Sequence, residues 1–216
     1  MTALEKLLGG AARIKVLRFF LLNCGKVATP REIAKMVRIS SRAASSEVRF
    51  LLSLGLIKRG ARIDEIALRK RTIKKRIAGF ILSEDFPHIV PLRHLVVSAS
   101  PMWREKMSKY FKNCGRIKLV GLGGVFIDGT LNSVPNASEN FMGLESPLDV
   151  LVVGDGIKKS KMEKFVKKME SDIGRELAWA CFTKSEFEYR LAMHDKFLRD
   201  FLDYPHEFLI NKLGIE

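Results

Sequence analysis

Two short helices set only four residues apart restrict the fold of this chain more than anything else in it. Thr29-Pro30-Arg31-Glu32 is a helix start: threonine can cap, proline suits the first helical position, and glutamate stands where a capping-box partner belongs. The helix it opens, residues 31–37, buries Ile33, Ala34 and Val37. The break Arg38-Ile39-Ser40-Ser41 follows, with Ser40 as the next cap. A second helix then runs over 41–54 and stops at Gly55. Its apolar stripe is Ala44, Val48 and Leu51, and its other face offers Ser41, Arg42, Ser45, Ser46 and Arg49. Ahead of the pair, residues 11–23 form an amphipathic helix with Ile14, Leu17 and Leu21 on one face. Behind it, Leu56-Ile57-Lys58-Arg59 starts a strand, 63–68 continues extended, 69–75 forms a hairpin tip and 76–82 returns.

Charge divides the chain at the same place. Residues 1–80 hold 19 Lys and Arg against 5 Asp and Glu; residues 81–216 hold 19 against 19. The whole excess of +14 therefore lies in the N-terminal part, a field suited to a polyanion. Six of the eight residues in Arg69-Lys70-Arg71-Thr72-Ile73-Lys74-Lys75-Arg76 are basic.

Three helices, a tight turn between the last two and a basic hairpin describe a winged helix-turn-helix. Residues 4–82 resemble the winged helix-turn-helix regulators of prokaryotes. The carriers are Thr29-Pro30-Arg31-Glu32-Ile33-Ala34, Ile39-Ser40-Ser41-Arg42-Ala43-Ala44 and Val48 through Lys58. The expected partner is double-stranded DNA. Ser41, Arg42, Ser45, Ser46 and Arg49 would face the major groove, and Arg69, Lys70, Arg71, Lys74, Lys75 and Arg76 would lie along phosphates. The resemblance also implies a homodimer.

Beyond a connector, residues 83–115, with helices over 92–98 and 102–113, the pattern turns α/β. Apolar strands are expected at 117–121, 150–153 and 177–182, a basic amphipathic helix at 160–173, helices at 185–193 and 196–202, and a last strand at 207–210. A long loop is expected at 129–146. Residues 116–213 resemble the minimal nucleotidyltransferases found in toxin and antitoxin pairs, carried by Leu119-Val120-Gly121-Leu122-Gly123-Gly124 and Leu148-Asp149-Val150-Leu151-Val152-Val153-Gly154-Asp155. The resemblance places Gly123-Gly124 on the family's Gly-Ser pair, Asp149 on the second metal carboxylate and Pro147 on the first. Two carboxylates on alternate strand positions are what metal-assisted phosphoryl transfer requires. With a hydroxyl and a carboxylate missing, the expectation is a pseudoenzyme that holds no metal or cofactor and serves dimerisation, effector or protein-partner binding. An active enzyme using Asp128 or Glu145, and the antitoxin side of a toxin pair, are the alternatives.

The expected fold class is α+β in two domains, residues 1–82 and 116–216, the second carrying a small mixed sheet. Three scattered cysteines, no apolar run of membrane-spanning length and no basic leader point to the cytoplasm and away from a membrane. His88, His94, His194 and His206 lack metal-ligand spacing. Asp155 reads as a loop or capping residue, His194-Asp195 as a helix break, Cys114 and Cys181 as small hydrophobes, and Trp103 and Trp179 as core or interface. Lys158, Lys159, Lys161, Lys164, Lys167 and Lys168 give one helix a basic face, read first as solvated and second as a further nucleic-acid contact.

Overall fold

A computed structural model describes residues 3–68, 71–98, 102–112, 114–127 and 148–215. The chain is α+β and divides into two compact units, Met1–Val97 with Glu170–Arg175, and Ser98–Met169 with Glu176–Glu216. No described helix is long and apolar enough to cross a membrane.

In the first unit, α1 (Ala3–Leu7) precedes α2 (Ala11–Leu22). The sequence suggests a single apolar face for α2. Instead every residue from Val16 to Leu22 is buried, because this helix runs through the centre of the unit's core. Its one buried cation, Arg18, donates to the Val96 carbonyl at 2.9 Å and to the Asp172 carbonyl at 3.2 Å. Burial holds the Arg18 pKa down to about 10, against the opposing pull of Asp172 and Glu5.

The helix pair forms as its caps dictate. Thr29 accepts from the Glu32 N–H while the Glu32 carboxylate takes the Thr29 N–H, starting α3 (Pro30–Val37). Arg38 turns the chain through φ 52°, and Ser40 caps α4 (Ser41–Ser53) by accepting from the Ala43 N–H. Ile33, Ala34 and Val37 of α3 and Ala44, Val48 and Leu51 of α4 are the buried positions.

Then β1 (Ile57–Leu68) and β2 (Arg71–Leu82) form an antiparallel ribbon in unbroken register from Ile57↔Leu82 to Leu68↔Arg71. Twelve residues at about 3.3 Å each make an arm of roughly 40 Å. The expected hairpin tip at 69–75 is therefore corrected. Residues 71–75 are strand, because Asp64 through Leu68 supply them with partners. At its base the ribbon is joined by Ala28, which exchanges two 2.9 Å hydrogen bonds with Phe80. The cross-strand pair Gly60↔Gly79 makes room for that crossing: a Cβ on Gly79 would lie 2.7 Å from the Ala28 oxygen and 2.9 Å from a Val27 methyl. Helix α5 (Ile89–Arg93) follows, continuing as a π-helical turn His94–Ser98.

The second unit is built on a four-stranded mixed sheet. Its strands are β3 (Arg116–Leu122), β4 (Val150–Asp155), β5 (Trp179–Phe182) and β6 (Glu207–Asn211), in the order β5-β4-β3-β6. Only the β4–β5 pairing is parallel. Val150 through Val153 are buried at consecutive positions, so both faces of the sheet are covered. The helices are α6 (Met102–Lys112), α7 (Lys159–Ile173), α8 (Lys184–Ala192) and α9 (Lys196–Asp203). Phe187, Leu198 and Phe201 of α8 and α9 pack with Leu119, Leu151 and Val153. His194 (φ 51°) breaks the chain between α8 and α9, where Asp195 caps α9 through the Phe197 N–H at 2.8 Å. Asp155 accepts from the Lys184 N–H at 3.3 Å and pairs with Lys118 at 3.0 Å.

Candidate nucleic-acid interface

At 100° per residue, Ser41, Arg42, Ser45, Ser46 and Arg49 fall within an arc of about 140° on α4, clear of the buried arc of Ala44, Val48 and Leu51. Ser41, Arg42, Ser46 and Arg49 are exposed and Ser45 is half-buried. Arg49 donates from Nε to the Ser45 carbonyl at 3.2 Å, which lays its guanidinium along the helix. The helix pair thus presents a cationic, hydroxyl-rich face held from beneath by core packing.

The ribbon distributes its cations over two faces. Lys74 and Arg76 stand on one, opposite Glu65 and Ile63; Lys75 stands on the other, opposite Asp64. All three are exposed, and Lys74 makes only a loose 3.5 Å pair with Glu65. Arg69 and Lys70 lie outside the described residues, as does the side chain of Arg71.

One arginine ties ribbon to helix. Arg62 of β1 donates from Nε to Asp64 Oδ1 at 2.8 Å and from Nη2 to Asp64 Oδ2 at 3.1 Å. It also grips both Glu32 oxygens and the Val27 carbonyl. Glu32 thereby serves two structures, the α3 cap and the ribbon. Its hydrogen bonds from Arg62, with those from Thr29, hold its carboxyl down at about 2. The Arg62 guanidinium also lowers Asp64, and Asp64 and Glu32 together push Arg62 above its ordinary value. Sequence periodicity has no signal for this triad; its one trace is the Arg-x-Asp spacing that puts Arg62 and Asp64 on one strand face.

Compared with known proteins, the chain matches no protein-family model, no curated protein and no solved structure. Its chemistry has to be read from its own residues.

The same unit also carries an apolar groove of about 680 Å³ between Leu7, Phe50, Leu54 and Leu95. Arg13 lies 3.9 Å over the Phe50 ring and pairs with Glu47 at 2.8 Å. None of the five exposed-face residues of α4 lines it.

In the second unit, Gly123, Gly124 and Asp149 do come together, in a closed arrangement. Asp149 is 2 % exposed. Its Oδ1 accepts from the Val125 N–H at 3.0 Å and its Oδ2 from the Ala178 N–H at 2.8 Å. Its own carbonyl accepts from the Gly123 N–H at 3.0 Å. Gly124 holds φ 48°, and a Cβ there would stand 2.3 Å from Asp149 Oδ1. The bare glycine and the inward carboxylate depend on each other. Asp128, Glu145 and Pro147, and the loop expected at 129–146, lie outside the described residues. Among the described residues no group of three His, Cys, Asp or Glu side chains is placed to hold a metal ion. Cys114 and Cys181 are half-buried free thiols, and burial raises Cys181. Trp179 is half-buried; the Trp103 side chain lies outside the described residues.

Proposed function

We propose that this protein is a sequence-specific DNA-binding transcriptional regulator of the prokaryotic winged helix-turn-helix type. The observation that carries this reading is the exposed face of α4. Arg42, Ser46 and Arg49 project from a helix whose opposite side is locked into the core, directly after a capped four-residue turn. Arg donates two hydrogen bonds to guanine and Ser reaches base edges or phosphates, so α4 reads the major groove. The ribbon, with Lys74, Lys75 and Arg76 on its shaft, follows phosphates and positions the reader without reading sequence. The protein works as a homodimer in the cytoplasm.

The second unit is a nucleotidyltransferase-like domain that has lost catalysis and serves dimerisation or the binding of an effector or protein partner. What supports this is the use of Asp149: both its oxygens are spent on backbone N–H groups, and the position of the family's serine is a glycine pressed against it.

Selection of bound fragments from a random duplex library, at fixed salt, tests the reading. An enriched palindrome is the expected result. On that site Arg42→Ala loses about 1–3 kcal/mol, with a smaller loss on random duplex. Equal losses on both remove Arg42 from the reading face.

A further inference from the structure

We propose that the lysine face of α7 is a second contact surface for nucleic-acid phosphates, an inference that rests on the duplex-binding reading above. The second half of the chain is neutral, yet residues 158–168 carry six lysines and one acid, Glu163. At 100° per residue, Lys161, Lys164, Lys167 and Lys168 share one side of the helix and Glu163 falls outside it, with Lys158 just ahead of the first turn. All six lysines are exposed. Among the described residues, Lys158, Lys159, Lys161, Lys164 and Lys167 have no carboxylate at ion-pair distance. Several cations elsewhere in the unit are matched: Lys118 with Asp155, Arg104 with Glu207, Arg190 with Glu186 and Asp195. A run of unmatched like charges at helical spacing repels itself. A polyanion relieves that repulsion, and neighbouring lysines about 5–6 Å apart can neutralise successive phosphates.

The other side of the helix decides which polyanion. An interfacial helix that binds anionic lipid needs a free apolar face to sink into the bilayer. Here Met162, Val166 and Met169 are at most 4 % exposed, so that face is already spent inside the protein. Phe165 is also engaged, stacked on Tyr110 of α6 at 3.8 Å and 7°, while the Tyr110 hydroxyl donates to the Lys161 carbonyl at 2.9 Å. The helix is held rigid with only its charges outward. That suits a phosphate backbone and does not suit a membrane.

The test is binding of the full chain to a long random-sequence duplex by fluorescence anisotropy over a salt series. It compares wild type with the triple variant Lys161→Gln, Lys164→Gln, Lys167→Gln. A control triple variant, Lys109→Gln, Lys196→Gln, Lys212→Gln, removes the same charge elsewhere in the unit. Each neutralised phosphate contributes about 0.9 to the slope of log K against log salt. The expected result is a slope shallower by about 2–3 units for the α7 variant alone, with thermal unfolding unchanged. A slope equal to wild type, or an equal drop in the control, overturns the inference and leaves the first unit's role standing. Lysine-dependent sedimentation with phosphatidylserine vesicles, with the duplex slope unaltered, assigns the face to lipid and overturns it as well. Failure of wild type to bind duplex at all removes the underlying reading, and this one with it.

Discussion

Asp149 shows how a single buried carboxylate is committed. Its two oxygens satisfy the N–H groups of Val125 and Ala178, one on each side of the strand end. Asp149→Ala leaves both donors without an acceptor, at about 1–3 kcal/mol for each. Gly124→Ser, which restores the side chain of the resembled motif, also loses stability, because its Cβ would stand 2.3 Å from the carboxylate oxygen at a positive φ. Urea denaturation of the two variants checks this; a Gly124→Ser protein as stable as wild type would contradict it. Glu32 gives a pH-dependent case. Its folded pKa of about 2 lies below the ordinary 4.5. Its contribution is therefore fully present above 4.5 and is lost as pH falls toward 2. The side chain is 44 % exposed, so solvent screening keeps that contribution to about 1 kcal/mol or less. Urea midpoints measured from pH 5 to 2 are expected to fall more steeply for wild type than for Glu32→Gln. Parallel curves would separate Glu32 from the acid response. The sequence marks Glu32 as a helix cap, through its place three residues after Thr29. It does not mark Glu32 as the partner of Arg62, because that pairing spans thirty residues and only tertiary folding creates it.

Among the elements, the helices were the most legible. Caps at Thr29 and Ser40 and apolar stripes of period 3.6 locate α3 and α4 to within a residue or two, and they also set the exposed face of α4. Helix α2 differs in kind from an amphipathic helix, since a helix buried on nearly every side has no stripe to find. The sequence marks the ribbon but not its length. Charged residues at 69–75 look like a hairpin tip, and only the register from Leu68↔Arg71 inward makes strand of residues 71–75. The purpose of Gly60 and Gly79 was equally hidden, because it depends on Val27 and Ala28 crossing the ribbon base. Gly79→Val drives a side chain into the Ala28 carbonyl and breaks the two Ala28–Phe80 hydrogen bonds. The expected cost is about 1–3 kcal/mol. Amide exchange at Ala28 and Phe80 reports it directly: faster exchange at both is expected, and unchanged protection would show that the crossing tolerates a side chain.

At the scale of the whole molecule, charge and architecture coincide. The +14 excess of the sequence lies within residues 1–80, and the first compact unit contains all of them. That correspondence was visible before any fold was known, because net charge needs no structure to be counted. The membership of Glu170–Arg175 in the first unit was not visible, since the contacts that place it there, such as Arg18 with Asp172 and Asn23 with Gly174, lie some 150 residues apart in sequence. The proposed regulator depends on the first unit gripping duplex phosphates. The measurement that meets this claim most directly is the affinity of the full chain for duplex DNA across a salt series, beside a Lys74→Ala, Lys75→Ala variant. The expected result is tight binding in dilute buffer, log K falling linearly with log salt, and a slope shallower by about 2 units in the variant. No binding in dilute buffer, or binding indifferent to salt, would contradict it.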